Sequence, residues 1–118
     1  MTTWLFVGPQ LLSGIGQVTR QYADLIGPLA EYVEVGRQPK KFLYDRGFAF
    51  VLPIESQLDL FDRYKPFCRK WTYMTVCETE PVNECYSVLA RYKEIHVPSE
   101  FSRQILEKQF PKIGRAHV

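Results

Sequence analysis

Three short segments combine residue types that could act on a phosphorylated or hydroxyl-rich ligand. The first is Ser13-Gly14-Ile15-Gly16. Backbone N–H groups at a helix N-terminus attract anions, and glycines let a phosphate come close. The string Gly14-Ile15-Gly16-Gln17-Val18-Thr19 departs from the dinucleotide-binding fingerprint, because Thr19 stands where a third glycine belongs. It also begins six residues after Gly8, late for the tight turn which that motif needs directly after its strand. A plain strand-to-helix loop is the competing reading. The second segment is Glu78-Thr79-Glu80. A carboxylate at the carboxyl end of a strand, beside a helix N-terminus, suits a general base or an acceptor for ligand hydroxyls, and Glu78 is the candidate. Glu80 fits helix capping, since acidic residues favour helix N-termini. The third is Val97-Pro98-Ser99-Glu100-Phe101, in which Ser99 is expected to cap a helix with its hydroxyl near the same cleft. No G-x-S-x-G elbow surrounds Ser99, so it is not read as a nucleophile. His96 is read as a structural strand residue.

These residues must be positioned by alternating strands and helices. Trp4 to Val7 is apolar on both faces and ends at Gly8-Pro9, as a buried parallel strand does. A helix follows from Ile15, capped by Ser13 and ended by Gly27-Pro28. Its apolar residues Ile15, Val18, Tyr22, Leu25, Ile26 and Leu29 recur in steps of three and four and define its buried face. A second strand is expected over Tyr32–Val35, a surface loop over Arg37–Gly47 and a third strand over Phe48–Leu52. Over Gln57 to Tyr64, Leu58, Phe61 and Tyr64 suit a short helix and Leu58 and Leu60 a strand, and the helix is the preferred reading. Trp71 to Cys77 is a strand rich in aromatic and β-branched residues. Thr79 or Glu80 caps the next helix, with Pro81 in its first turn and Val82, Cys85, Leu89 and Tyr92 on one face. Glu94–Val97 is a strand, and Ser99 opens a helix that buries Phe101, Ile105 and Leu106 and stops at Phe110-Pro111. Ile113 to Val118 begins a further strand. The pattern predicts a single Rossmann-like α/β domain over residues 1–118, with a parallel sheet of about five or six strands and helices on both faces. The strand at Trp4 is expected to be central and the one at Phe48 farther out. Functional residues then sit beyond the carboxyl ends of the strands.

Composition narrows the classes further. The 118 residues are 46% apolar and 24% charged, a globular balance that leaves no room for a disordered chain. The net charge of +2 and the scattered Lys and Arg point to neither a nucleic-acid footprint nor a membrane patch. No run approaches a membrane span, and Trp4-Leu5-Phe6-Val7 lacks the basic flank of a signal peptide, so a cytoplasmic protein is expected. Cys68, Cys77 and Cys85 form no CxxC pair and read as reduced thiols, with no disulfide between Cys77 and Cys85. His96 and His117 are isolated, so no metal site is expected.

Taken together, three segments resemble one family. Trp4-Leu5-Phe6-Val7-Gly8 with Ser13-Gly14-Ile15-Gly16, then Met74-Thr75-Val76-Cys77-Glu78-Thr79-Glu80, then Tyr92-Lys93-Glu94-Ile95-His96-Val97-Pro98-Ser99-Glu100-Phe101 are similar to the N-terminal domain of retaining-type, two-domain glycosyltransferases of the glycogen-synthase-like clan (GT-B fold, family 4 type). The last segment is the most specific and the glycine loop the least. The resemblance implies an acceptor-side domain, with the donor-binding domain absent from these residues. It implies a nucleotide-sugar donor as co-substrate, an unknown acceptor and no separate cofactor. It places Gly14 and Gly16 on the donor phosphates, and Ser99 and Glu80 beside the cleft. A second domain, or self-association through the Phe110–Val118 end, is the implied partner. Two other readings stay open: a nucleotide- or phosphate-binding α/β module, and a non-catalytic interaction protein on the same fold.

Overall fold

The computed structural model describes residues 1–9, 14–75, 84–92, 94–110 and 115–117. Six strands, β1 Trp4–Gly8, β2 Ala30–Glu34, β3 Tyr44–Phe50, β4 Cys68–Met74, β5 Glu94–His96 and β6 Arg115–His117, form one sheet in the order β2-β1-β3-β4-β5-β6. Every pairing is parallel. Three α-helices, α1 Gly14–Ile26, α2 Glu55–Asp62 and α3 Glu100–Gln109, and a 3₁₀ helix at Glu84–Arg91 complete the α/β, Rossmann-like architecture.

The pairing register sorts the side chains into two faces. Phe6 aligns with Phe48 and Thr72, and Leu5 with Gly47 and Trp71. Helix α1 lies on the Phe6 face, where Tyr22 meets Phe48 edge-on at 5.7 Å. The opposite face carries Leu5, Val7, Ala49 and Val51, which share one core with Leu58 and Phe61 of α2, Leu89, and Ile105 and Leu106 of α3. Both faces therefore hold helices, as a buried parallel sheet requires. The order reverses direction between β1 and β3, which makes their carboxyl ends the switch point of the sheet.

Several sequence expectations need correction. Strand β3 begins at Tyr44, so Tyr44–Gly47 is sheet and not loop. Gly47 is tolerated there because Trp71 covers it: a Cβ at that position would lie 2.5 Å from the indole. Strand β3, not β1, is nearer the middle of the sheet. The segment before β5 is a 3₁₀ helix over its described part. The buried stripe of α1 is Gly16, Thr19 and Ala23, while Leu25 and Ile26 face outward. The reason is volume. The sheet offers Phe6 and Phe48 to this helix, so small residues fill the line of closest approach and Tyr22 packs beside it, edge-on to Phe48. Likewise α3 buries Ser102, Ile105 and Leu106, and Phe101 points outward. No helix among the described residues is long and apolar enough to cross a membrane.

Candidate functional site at the carboxyl edge of the sheet

Close packing fixes where the chain leaves β1. Gly8 is buried, and a Cβ on it would lie 3.1 Å from both Thr19 of α1 and the Tyr32 ring of β2. The Gly8 carbonyl accepts from Val35 N at 2.8 Å, and the Tyr32 hydroxyl donates to the Pro9 carbonyl at 3.2 Å. Burial raises the Tyr32 pKa, so this phenol stays a neutral donor. The take-off point of the glycine loop is thus rigid.

Gly14 opens α1 under different constraints. Its φ is not positive, it is exposed, and nothing described lies within 4 Å of where its Cβ would be. Neither backbone conformation nor packing demands glycine here. Gly16, one step inside the helix, is buried in the stripe against the sheet and has an interaction partner. Of the two glycines, Gly14 is the one that leaves room for a ligand. Gly14→Ala should therefore leave stability unchanged or raise it by about 0.4–1 kcal/mol, because alanine restricts the unfolded chain and favours helix. Urea denaturation of the purified variant checks this, and a loss above about 1 kcal/mol would mean that the fold itself needs the glycine.

Ser99 stands at the head of α3, beyond the carboxyl end of β5. Its backbone is extended, with φ −148° and ψ 158°, and its Oγ accepts from Ser102 N at 3.1 Å. The Ser99 hydroxyl also donates to Ser102 Oγ at 3.1 Å. The capping expectation holds, and the cap occupies both the hydroxyl hydrogen and one lone pair. Ser99→Ala should cost about 1 kcal/mol, and Ser99→Asp should keep most of it, since a carboxylate can accept the same N–H. Thermal melts of both variants check the difference. Glu100 beside it is held by Arg103 in an ion pair, which lowers its carboxyl pKa and removes it as a base.

Glu78, Thr79, Glu80, Pro81, Val82, Cys77 and Ser13 lie outside the described residues. Strand β4, which precedes this segment, ends at Met74 on the same edge as β1. Gly14 and Ser99 follow strands three places apart, so roughly 14 Å of sheet separates them at ~4.8 Å per strand. They border one edge without touching, and β4 stands between them.

The sequence did not single out Thr75. It is fully buried at the end of β4, its N–H donates to the His96 carbonyl at 3.0 Å, and its Oγ1 has no hydrogen-bond partner. A threonine in Met74-Thr75-Val76 reads only as a strand former, so no sequence signal marks it. His96 keeps to the strand and, with Arg46, Lys70, Thr72 and Glu94, lines a hollow of about 290 Å³ on the sheet. No cluster of metal-ligating side chains occurs among the described residues.

The fold and this edge define the class: a Rossmann-like α/β domain whose glycine loop opens a helix at the switch point. Comparison with protein families, with characterised proteins and with solved structures returns no match for the chain.

Proposed function

We propose that this chain is the N-terminal, acceptor-side domain of a glycosyltransferase that takes a sugar from a nucleotide-sugar donor, and that it needs a second, donor-binding domain to act. The observation that carries the reading is Gly14: a glycine that neither its backbone nor any described neighbour requires, at a helix N-terminus beside the switch point, with no described atom within 4 Å of where its Cβ would be. Such a position suits close approach of a phosphate to backbone N–H groups. The segments at Glu78–Glu80 and Ser99 follow strands that end at the same edge, where a carboxylate can accept from acceptor hydroxyls and only the lone pair that the cap leaves on Ser99 Oγ can join it.

One wall of a cleft does not make a catalyst. Transfer needs donor and acceptor held with reacting atoms about 3–3.5 Å apart in a site closed to water. An exposed helix terminus contributes only about 0.3–1 kcal/mol to an anion, against the roughly 8.2 kcal/mol of a micromolar ligand. The isolated chain should bind nucleotide sugars at millimolar strength or below detection, and turn none over. The test is an amide chemical-shift titration with a panel of nucleotide sugars, with turnover assayed in parallel. Shifts centred on Gly14–Gly16 that weaken in Gly14→Ala support the reading. Equal shifts with inorganic phosphate alone favour a general phosphate-binding module. Micromolar binding or turnover by the chain alone would overturn the two-domain proposal.

A further inference from the structure

The edge of the sheet opposite the proposed cleft collects apolar side chains that the sequence scatters. All six strands are parallel, so the residues just before each strand share one edge. Met1 precedes β1, Leu25 and Ile26 close α1 just before β2, and Phe42 and Leu43 precede β3. Seven large apolar side chains are exposed among the described residues, and these five are among them, with Leu25 at 83% and Phe42 at 86%. Hydrogen bonds tie the three approaches together: Trp4 N to the Leu29 carbonyl at 2.9 Å and Arg46 N to the Thr3 carbonyl at 3.0 Å.

The charges at this edge are asymmetric. Its carboxylates are engaged: Asp24 with Arg20 at 3.4 Å, Asp45 with Thr3 and Arg69, and Glu31 with the backbone N–H of Lys40 and the Tyr44 hydroxyl. Lys40 and Lys41 are exposed, and neither ammonium is in an ion pair among the described residues. They share a hollow of about 480 Å³ with Arg20, Asp24, Gly27 and Pro28, so the end of α1 and the Lys40–Lys41 segment lie on its two sides.

We propose that this edge is a docking surface for an anionic phospholipid bilayer. Phe42, Leu43, Leu25 and Ile26 enter the interfacial layer, and Lys40 and Lys41 meet lipid phosphates. Protruding apolar tips flanked by free lysines match what binds a lipid interface, where apolar burial and attraction to anionic headgroups add. A protein interface fits less well, because its core is depleted in lysine. A second copy joined by the same face would gather both pairs of these lysines into one interface. The low net charge of the chain does not oppose the proposal, since topology, not total charge, brings these lysines together. It is independent of the glycosyltransferase reading.

The test is co-sedimentation of the chain with mixed phosphatidylglycerol–phosphatidylcholine vesicles and with pure phosphatidylcholine vesicles. The expected result is binding to the anionic vesicles that falls with salt, and little binding to neutral ones. Lys40→Glu/Lys41→Glu should lower the partition coefficient by at least about 25-fold, and Phe42→Ser by about tenfold. Both changes lie on exposed side chains, and circular dichroism confirms that the variants fold. Equal binding to neutral vesicles, indifference to either variant, or no binding to anionic vesicles would overturn the proposal. So would sedimentation equilibrium that finds a dimer dissociated by Phe42→Ser.

Discussion

Raising the pH from 9 to 12 should unfold the domain. Burial pushes the Cys68 thiol up to about 12, from an ordinary value of 9.0. Burial, and then the hydrogen bond to the Glu31 carboxylate, pushes the Tyr44 phenol up to about 12, from 10.0. Tyr73 and Tyr92 are raised further, and Tyr64 is raised as well, in each case by burial first. All of these groups are neutral when protonated. In the unfolded chain they release their protons near their ordinary values, while the native state still holds them. The native state thus binds more protons throughout this window, and stability must fall as pH rises. The contribution is fully present below about pH 9 and is lost as the pH climbs to the folded values. Each tenfold change in proton affinity is worth about 1.4 kcal/mol in full and solvent screening lowers that figure, yet all the raised groups act in the same direction against a typical total of only roughly 5–15 kcal/mol. Urea melts at pH 7, 9, 10 and 11 should show midpoints that are steady up to pH 9 and then drop. Cys68→Val, which removes one of these groups, should flatten the first part of the drop. A midpoint that stays constant to pH 11 would show that these side chains are not desolvated in solution.

The same burial pattern shows what the sequence disclosed. Strand–helix alternation was legible because Trp4–Val7, Trp71–Met74 and the Ser99 cap each carry a local signal that agrees with the fold, although β4 starts three residues before Trp71, at Cys68, and ends at Met74, with Val76 and Cys77 outside the described residues. Tertiary exchange was not legible. Leu25, Ile26 and Phe101 lie at helical spacing with their neighbours, yet they face water: on α1 the small residues Gly16, Thr19 and Ala23 take the line against Phe6 and Phe48, and on α3 Ser102, Ile105 and Leu106 take the core face. Strand Tyr44–Gly47 was hidden for a related reason: Asp45, Arg46 and Gly47 are poor strand formers taken alone. Partners far along the chain place them in the sheet, namely Thr3 for Asp45, Trp4 for Arg46 and Trp71 for Gly47. At the candidate site the sequence identified Gly14 and Ser99 by their helix-start chemistry, but it could not separate them. Only the packing distinguishes Ser99, whose hydroxyl is occupied by its cap, from Gly14, whose space is open. Thr75 carried no signal at all, because an unpartnered hydroxyl is a property of its surroundings and not of its residue type.

Gly47→Ala should be the most damaging single-methyl change in the sheet. A Cβ at position 47 would lie 2.5 Å and 2.7 Å from two atoms of the Trp71 ring and 2.7 Å from Cys68 Sγ. These contacts cannot relax cheaply. The indole stacks on Tyr73 at 5.9 Å, and its Nε1–H donates to the Lys65 carbonyl at 3.2 Å. Tyr73 in turn stacks on Tyr92 at 4.0 Å, and the Tyr92 hydroxyl reaches Asp62, which Arg91 holds at 2.9 Å. Moving Trp71 therefore pushes along a packed row that runs from β4 through Tyr92 to the end of α2. Moving the Gly47 backbone instead would break its pairing with both Leu5 and Trp71, near the middle of the sheet. Overpacking of this kind costs about 1–3 kcal/mol, and a rigid ring on one side puts the expected loss near the upper end, about 3 kcal/mol. For a domain of this size that lowers the melting temperature by more than about 10 °C. The double variant Gly47→Ala/Trp71→Leu separates the cause from a general glycine effect. Truncating the indole makes room for the new methyl, so the two changes together should cost less than the sum of each alone by about 1 kcal/mol or more. Strictly additive costs would mean that the methyl and the indole never meet, and that the row from Trp71 to Asp62 does not transmit the strain.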